Sequence, residues 1–261
     1  MKILAIIQAR TSSSRLPNKV LKPILGKPML IHQIERVQLS KTIDQLVIAT
    51  SKDASDDKLI NLLKNINVEY YRGSLNDVLD RFIQAASVYK PSHVVRLTGD
   101  CPVIDFEIID KVIKFHLDNG SDYTSNCFPP TYPDGLDVEV VKFSALEEAW
   151  RYAELPSERE HVMPYIRNHP DFFSSSNVEF EKDLSNHRWT VDEPEDFEFV
   201  EKIYTELYSK NKKFNMQDIL NLIDKNPCFK DINYHIARNE GAIKSYEEDK
   251  EYLSKKNEYK I

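Results

Sequence analysis

Glycine is scarce in this sequence, six among 261 residues, and none of the six sits in a GxGxxG or GxxxxGK(S/T) pattern. A dinucleotide fingerprint and a Walker A phosphate loop are therefore both excluded. Cysteine is scarcer still: Cys101, Cys127 and Cys228 are three in number and widely spaced, with no CxxC pair. That excludes a disulfide framework and a cysteine-built zinc site, and it suits a reduced, cytoplasmic protein. No long apolar run opens the chain; Ile3 to Ile7 is too short for a signal peptide or a membrane span. Surplus positive charge is missing as well, since 35 Lys and Arg stand against 42 Asp and Glu, a net charge of −7. Domains that grip nucleic acid carry the opposite balance, so a local concentration of positive charge becomes the informative feature.

What is present is an alternation of strand and helix patterns in a chain that is 41% hydrophobic. Residues 2–8 read as a buried strand, 28–39 as a helix, 45–50 as a strand, 54–66 as a helix with Ser55 as a candidate N-cap, 67–71 as a strand, 74–87 as an amphipathic helix and 93–100 as a strand. Such alternation predicts an α/β fold with a parallel sheet and helices on both faces, and ligands in such folds bind at the carboxyl ends of the strands. After residue 120 the rhythm changes. Strands are expected at 121–126, 135–142, 172–180 and 186–192, and helices at about 143–154, 157–168 and from Glu193, with Pro194 in the first turn. The expected organisation is one domain over 1–232, with an insertion at about 120–190, and a charged helical extension over 233–261 that reads as a solvated face.

Positive charge concentrates in one place, "QARTSSSRLPNKVL" (8–21), directly after the first strand. Arg10 and Arg15 offer guanidinium forks, Ser12, Ser13 and Ser14 offer hydroxyls and backbone N–H groups, and Lys19 adds a compact charge; these are the groups that hold phosphate oxygens. Pro17 stiffens the loop. The plain reading, a basic surface loop, competes with this one. A bound triphosphate calls for a metal with oxygen ligands. Asp100 in "RLTGDCPVID" and Asp192 in "RWTVDEPEDF" stand at predicted strand ends, where they would project toward a ligand; each could instead cap a helix or a turn. Gly99 would let backbone approach a ligand closely.

These stretches, together with "DGLDVEVV" (134–141), "SEREHVMPYIRNHP" (157–170) and "NEGAIKS" (239–245), resemble in order and spacing the motifs of the spore-coat polysaccharide cytidylyltransferase family. That family is similar to the CMP-sialic acid and CMP-Kdo synthetases, with a Rossmann-like, glycosyltransferase-A-like mixed sheet flanked by helices and a small β-containing insertion for acceptor binding and dimerisation. The resemblance covers residue 3 to about 250. It implies Mg²⁺-dependent transfer of CMP from CTP to a sugar acid or related precursor, with pyrophosphate release, for surface glycan assembly. By the resemblance, Arg15, Lys19 and Asp100 are catalytic and Asp100 and Asp192 hold the metal. The nucleotide is expected at Gln8, Ala9, Arg10, Ser12, Ser13, Ser14, Arg15, Lys19, Gly99 and Asp100, and Arg72, which follows the third strand, is a further ribose or base candidate, with a helix cap from Ser74 or Asn76 the competing reading of that turn. The acceptor lies near Gly135, Asp137, Glu139, Arg159, His161 and Arg188. A homodimer is implied, with contacts from 120–190; Phe128, Tyr132 and Phe172 are candidates.

One departure is "PNK", where many relatives have glycine before the lysine; Asn18 tolerates left-handed backbone angles, so the turn is expected to survive. Arg96, inside a strand, is read as pairing with a carboxylate. The competing functions are a glycosyltransferase of the same fold, for which "DVE" at 137–139 is a poor metal motif, and a catalytically inactive nucleotide-binding protein.

Overall fold

The computed structural model describes residues 1–238 and 240–258. Asn239, the first residue of the "NEGAIKS" motif, and positions 259–261 of the expected C-terminal helix lie outside the described residues. In chain order the elements are β1 (Ile3–Gln8), β2 (Pro23–Ile24), β3 (Lys27–Pro28), α1 (Met29–Val37), β4 (Gln45–Ser51), α2 (Asp57–Asn65), β5 (Tyr70–Gly73), α3 (Val78–Tyr89), β6 (His93–Thr98) and α4 (Phe106–Asn119). The second half holds β7 (Tyr123–Ser125), β8 (Glu139–Lys142), α5 (Phe143–Tyr152), α6 (Pro156–His161), α7 (Pro164–Asn168), β9 (Ser175–Asn177), α8 (Pro194–Leu207), α9 (Met216–Lys225) and α10 (Glu240–Glu258).

Seven strands form one sheet in the order β5-β4-β1-β6-β8-β7-β9. The first four run parallel, as the alternating sequence requires. β8 then runs antiparallel to both β6 and β7, and β9 lies parallel to β7, so the sheet is mixed. β1 is central and apolar on both faces. Its Ile3, Ala5 and Ile7 join Leu30, Ile109 and Val200 in one core layer. Leu4 and Ile6 join Phe82, Leu146 and Ile166 in the other.

The strands expected at 135–142 and 172–180 form only over Glu139–Lys142 and Ser175–Asn177, and three further elements differ, each for a local reason. The helix expected at 157–168 is two pieces, because Val162 adopts φ 72 and Pro164 opens a new first turn. The strand expected at 67–71 starts at Tyr70, since Asn67 turns the chain at φ 52. Residues 186–192 make no strand ladder. Their amides stitch two loops together instead: Trp189 N–H donates to the Asp134 carbonyl (2.7 Å) and Val191 N–H to the Asp100 carbonyl (2.8 Å). Tyr132 is buried against Phe180 within the chain, while Phe128 and Phe172 are 43% and 73% exposed. Among the described residues no helix is long and apolar enough to cross a membrane.

Behind β7, the buried His116 ring joins His93 (2.9 Å) to the Thr124 hydroxyl (2.8 Å). Burial, helped by the neighbouring His93, pushes the His116 imidazole down to about 4. The unfolded chain therefore binds a proton at His116 between the ordinary histidine value of about 6.5 and about 4, and the folded chain does not. Stability falls with acidification across that window. His116→Gln is expected to flatten this limb of a denaturation profile against pH; an unaltered profile would remove His116 as its source.

Candidate active site

A cleft of about 860 Å³ opens at the carboxyl ends of β1 and β6, bounded by the loop after β1 on one side and by residues of β8, α6 and α10 on the other. The loop is built on a buried carboxylate. Thr11 donates its N–H (2.7 Å) and hydroxyl (2.8 Å) to one oxygen of Asp56, while Thr50 and Ser51 donate to the other. Burial raises the Asp56 carboxyl, and the hydrogen bonds from Ser51, Thr11 and Thr50 outweigh it and hold it below the usual range. Asn18 then takes φ 58 and ψ 21, the left-handed turn expected of it, and a short 3-10 turn over Lys19–Leu21 carries Lys19 inward.

Lys19 is 8% exposed. Its Nζ donates to Asp192 Oδ1 (2.7 Å), to the Val191 carbonyl (2.8 Å) and to Asp100 Oδ2 (3.2 Å). Burial alone would discharge the ammonium; the charges of Asp100 and Asp192 outweigh it and raise its pKa. The same reciprocity works on Asp100, which burial raises and which Lys19, with Thr98 and Cys101, brings below the usual carboxylate range. Arg15 closes on Asp192 (3.0 Å) and Glu193 (3.4 Å). Three residues separated by up to 173 positions thus share one point.

Asp192 is itself fixed from behind. Its N–H and that of Glu193 donate to Asp196 (both 2.9 Å) in the first turn of α8. Arg188 forks onto Asp196 at 2.8 and 2.9 Å. It lies 3.3 Å from Asp134 and 3.5 Å from Asp192. Arg188 lines the cleft, but its donors are committed to this network.

At the far end of the cleft charges alternate. Asp137 accepts from Arg238 (2.6 Å). Glu139 is held by Arg96, by Arg167 (3.5 Å) and by the Tyr123 hydroxyl (2.6 Å), so Arg96 does pair with a carboxylate. Burial and the nearby charge of Asp137 push the Asp134 carboxyl up to about 7. Ser245 on α10 donates to Glu160 (2.8 Å), so the 3.0 Å contact between His161 Nε2 and the Ser245 oxygen requires an Nε2–H on the imidazole. Burial, then the Arg96 charge, lowers the His161 pKa. The C-terminal segment, expected to be only a solvated face, supplies Arg238, Ser245 and Tyr246 to the cleft wall.

Of the residues singled out in the sequence, the cleft gathers Gln8, Ala9, Arg10, Ser13, Ser14, Arg15, Lys19, Gly99, Asp100, Asp137, Glu139, His161, Arg188 and Asp192. It does not gather four others. Ser12 is exposed and outside the wall. Arg72 turns back to the Ser51 and Asp53 carbonyls (both 2.9 Å) and to Asp57 (2.8 Å). Arg159 clamps Asp77 and the Trp150 carbonyl, tying α6 to α3. Gly135 sits at φ 105 with its Cα facing the 189–190 backbone, so its role here is packing. Asp134, Arg167 and Arg238 were missed in the sequence. Asp134 stands beside Gly135 in a quoted motif, whereas nothing local marks Arg238, whose partners lie about a hundred residues away.

A mixed sheet that sets a cationic loop at the end of its first strand against two aspartates from distant loops has the form of a nucleotidyltransferase site. The sequence profile of the cytidylyltransferase family matches residues 4–221. The chain belongs to the cytidylyltransferase family. It is similar to the spore coat polysaccharide biosynthesis protein SpsF of Bacillus subtilis, 37% identical over 86% of this chain and 95% of that one. An 8-amino-3,8-dideoxy-manno-octulosonate cytidylyltransferase of Shewanella frigidimarina is 27% identical over 72% of this chain and 70% of its own. A cytidylyltransferase structure from Leptospira borgpetersenii superposes with a TM-score of 0.83 at 35% identity, covering 88% of this chain and 96% of that chain.

A methyl group at Gly135 would lie 2.6 Å from the Thr190 amide and 2.7 Å from the Trp189 carbonyl carbon. Both neighbours are backbone and φ is positive, so Gly135→Ala is expected to cost about 2 kcal/mol or more in chemical denaturation. Stability equal to the parent protein would show that this packing role is wrong.

Proposed function

We propose that the protein transfers CMP from CTP to a hydroxyl of a sugar acid or related precursor, releasing pyrophosphate. The observation that carries this reading is the meeting of Lys19 with Asp100 and Asp192 at the mouth of a loop rich in phosphate-type donors. The acceptor hydroxyl oxygen attacks the α-phosphorus and releases its proton to water, the bond from that phosphorus to the bridging oxygen breaks, and pyrophosphate leaves with that electron pair. Lys19 and Arg15 exchange their aspartate partners for phosphate oxygens and stabilise the negative charge that builds on them. Because both cations are already held in place, little reorganisation opposes the step.

Magnesium belongs to the proposal. Among the described residues no group of three or more His, Cys, Asp and Glu gathers into a complete cation site. Two aspartates that already share one cation suit Mg²⁺ instead, because that ion commonly takes one or two carboxylates and completes its octahedron with water and phosphate oxygens. Asp100 and Asp192 would hold it, and it would supply charge neutralisation at the phosphates.

For the acceptor, support comes from the wall carrying Arg96, Arg167 and Arg238, and from the octulosonate in the name of the Shewanella relative. The glycosyltransferase alternative would need Asp137 and Glu139 for a metal, and "DVE" at 137–139 departs from the paired aspartates such a motif carries.

Pyrophosphate release with Mg²⁺ and a panel of sugar acids, run with CTP, UTP and ATP, tests the reading. Acceptor-dependent release with CTP is expected, and sugar transfer from a supplied nucleotide sugar would overturn it. Lys19→Ala is expected to lower kcat by about 100-fold or more, the scale of losing a preorganised charge partner. An unchanged kcat would take Lys19 out of the chemistry.

A further inference from the structure

A buried cation on the cleft wall has no ion-pair partner among the described residues. Arg81, in the first turns of α3, is 2% exposed. Its Nη1 donates to the Ser74 carbonyl (2.8 Å), and its Nε is buried with no hydrogen-bond partner. No carboxylate among the described residues closes on it as an ion pair: Asp77 is taken by Arg159, and Asp56 by Thr11, Thr50 and Ser51. Burial, and then the neighbouring Arg10 cation, bring the Arg81 pKa down to about 10. A buried guanidinium with an unmade bond is costly. The fold nevertheless clears a path for it: a Cβ on Gly73 would lie 2.7 Å from Arg81 Cγ.

Arg81 and Val78 line the same cleft as Ala9 and Arg10; Arg81 packs on Gly73 at the end of β5, whereas Asp100 follows β6, and these two strands lie on opposite sides of β1 in the sheet. A nucleotide whose phosphates lie at Lys19 and the two aspartates has its base directed elsewhere along that cleft. Cytosine presents two acceptors side by side, O2 and N3. Uracil presents O2 beside an N3–H donor. A guanidinium carries donors only, so its fork matches the cytosine edge and collides with the proton of uracil. We propose that Arg81 is the residue that selects cytosine, by donating from its unsatisfied edge to O2 and N3 of the base, with Val78 as an apolar contact. This rests on the reading of the cleft as a CTP site.

The test is calorimetric titration of the full chain with Mg²⁺–CTP and Mg²⁺–UTP, without acceptor, for the parent protein, Arg81→Lys and Gly73→Ala. Arg81→Lys keeps the charge and removes the planar fork. Gly73→Ala keeps Arg81 and blocks its path. The parent protein is expected to prefer CTP, and both variants to lose about 10-fold or more of that preference, the scale of one bidentate contact to a base. Equal weakening toward both nucleotides would make Arg81 a general charge and overturn its selective role. A preference retained by folded variants would also overturn it, with cytidylyl transfer left standing. No preference for CTP in the parent protein would overturn both readings.

Discussion

The Lys19 ammonium is the point on which this structure turns. A charge buried to 8% exposure is tolerated only when opposite charge and hydrogen bonds meet it. Here those partners come from the loop after β6 and the loop before α8. The strand order places the ends of β1 and β6 side by side. The amide of Val191, bonded to the Asp100 carbonyl, brings in the third segment. Without all three contacts the lysine would be an unpaired interior charge, and without the lysine two aspartates would repel across a half-buried gap. Under the proposed function the same balance makes the cleft receptive, since phosphate oxygens would take over the cation while the aspartates would turn to a metal.

The outer layers exist to hold that point still. Asp196, which caps α8, fixes the backbone of Asp192 and is gripped by Arg188 and by Asn233. Asp56 fixes the opposite wall through Thr11. Both carboxylates are fully buried, and hydrogen bonds keep both below the usual carboxylate range against the effect of burial. Rigidity in these supporting groups is what electrostatic catalysis asks of a protein, because charges that must reorient during the reaction stabilise it less.

Much of this was legible beforehand, and the reasons differ by region. β1, β4 and β6 announce themselves as apolar runs, and the turn chemistry of Asn18 follows from its side chain. Asp100 could be placed because it closely follows the end of β6, whereas Asp192 was expected at the end of a strand that does not form and reaches the same point through the bond from the Val191 amide to the Asp100 carbonyl. Arg72 could not: on β5 it lies beside Thr50 in the register, and whether its long side chain reaches the cleft or folds back on Ser51 depends on packing with α2 that no local pattern records. Arg159 was misplaced for a similar reason, because its long side chain reaches Asp77 at the start of α3 and the Trp150 carbonyl instead of the cleft. Residues 186–192 have the composition of a strand, yet each end is bonded to a different loop. The contribution of α10 was hidden because its surface charges dominate its pattern, while Ser245, which reaches the cleft, is small and its partner Glu160 lies 85 positions away.

A crystal structure of the protein soaked with CTP and Mn²⁺ in place of Mg²⁺ tests the central claim most directly. The account predicts an anomalous peak about 2.1–2.2 Å from oxygens of both Asp100 and Asp192, close to the ideal for a small octahedral ion, with Lys19 Nζ moved onto a phosphate oxygen. A nucleotide bound with its phosphates away from Lys19, or a metal held by neither aspartate, would contradict it.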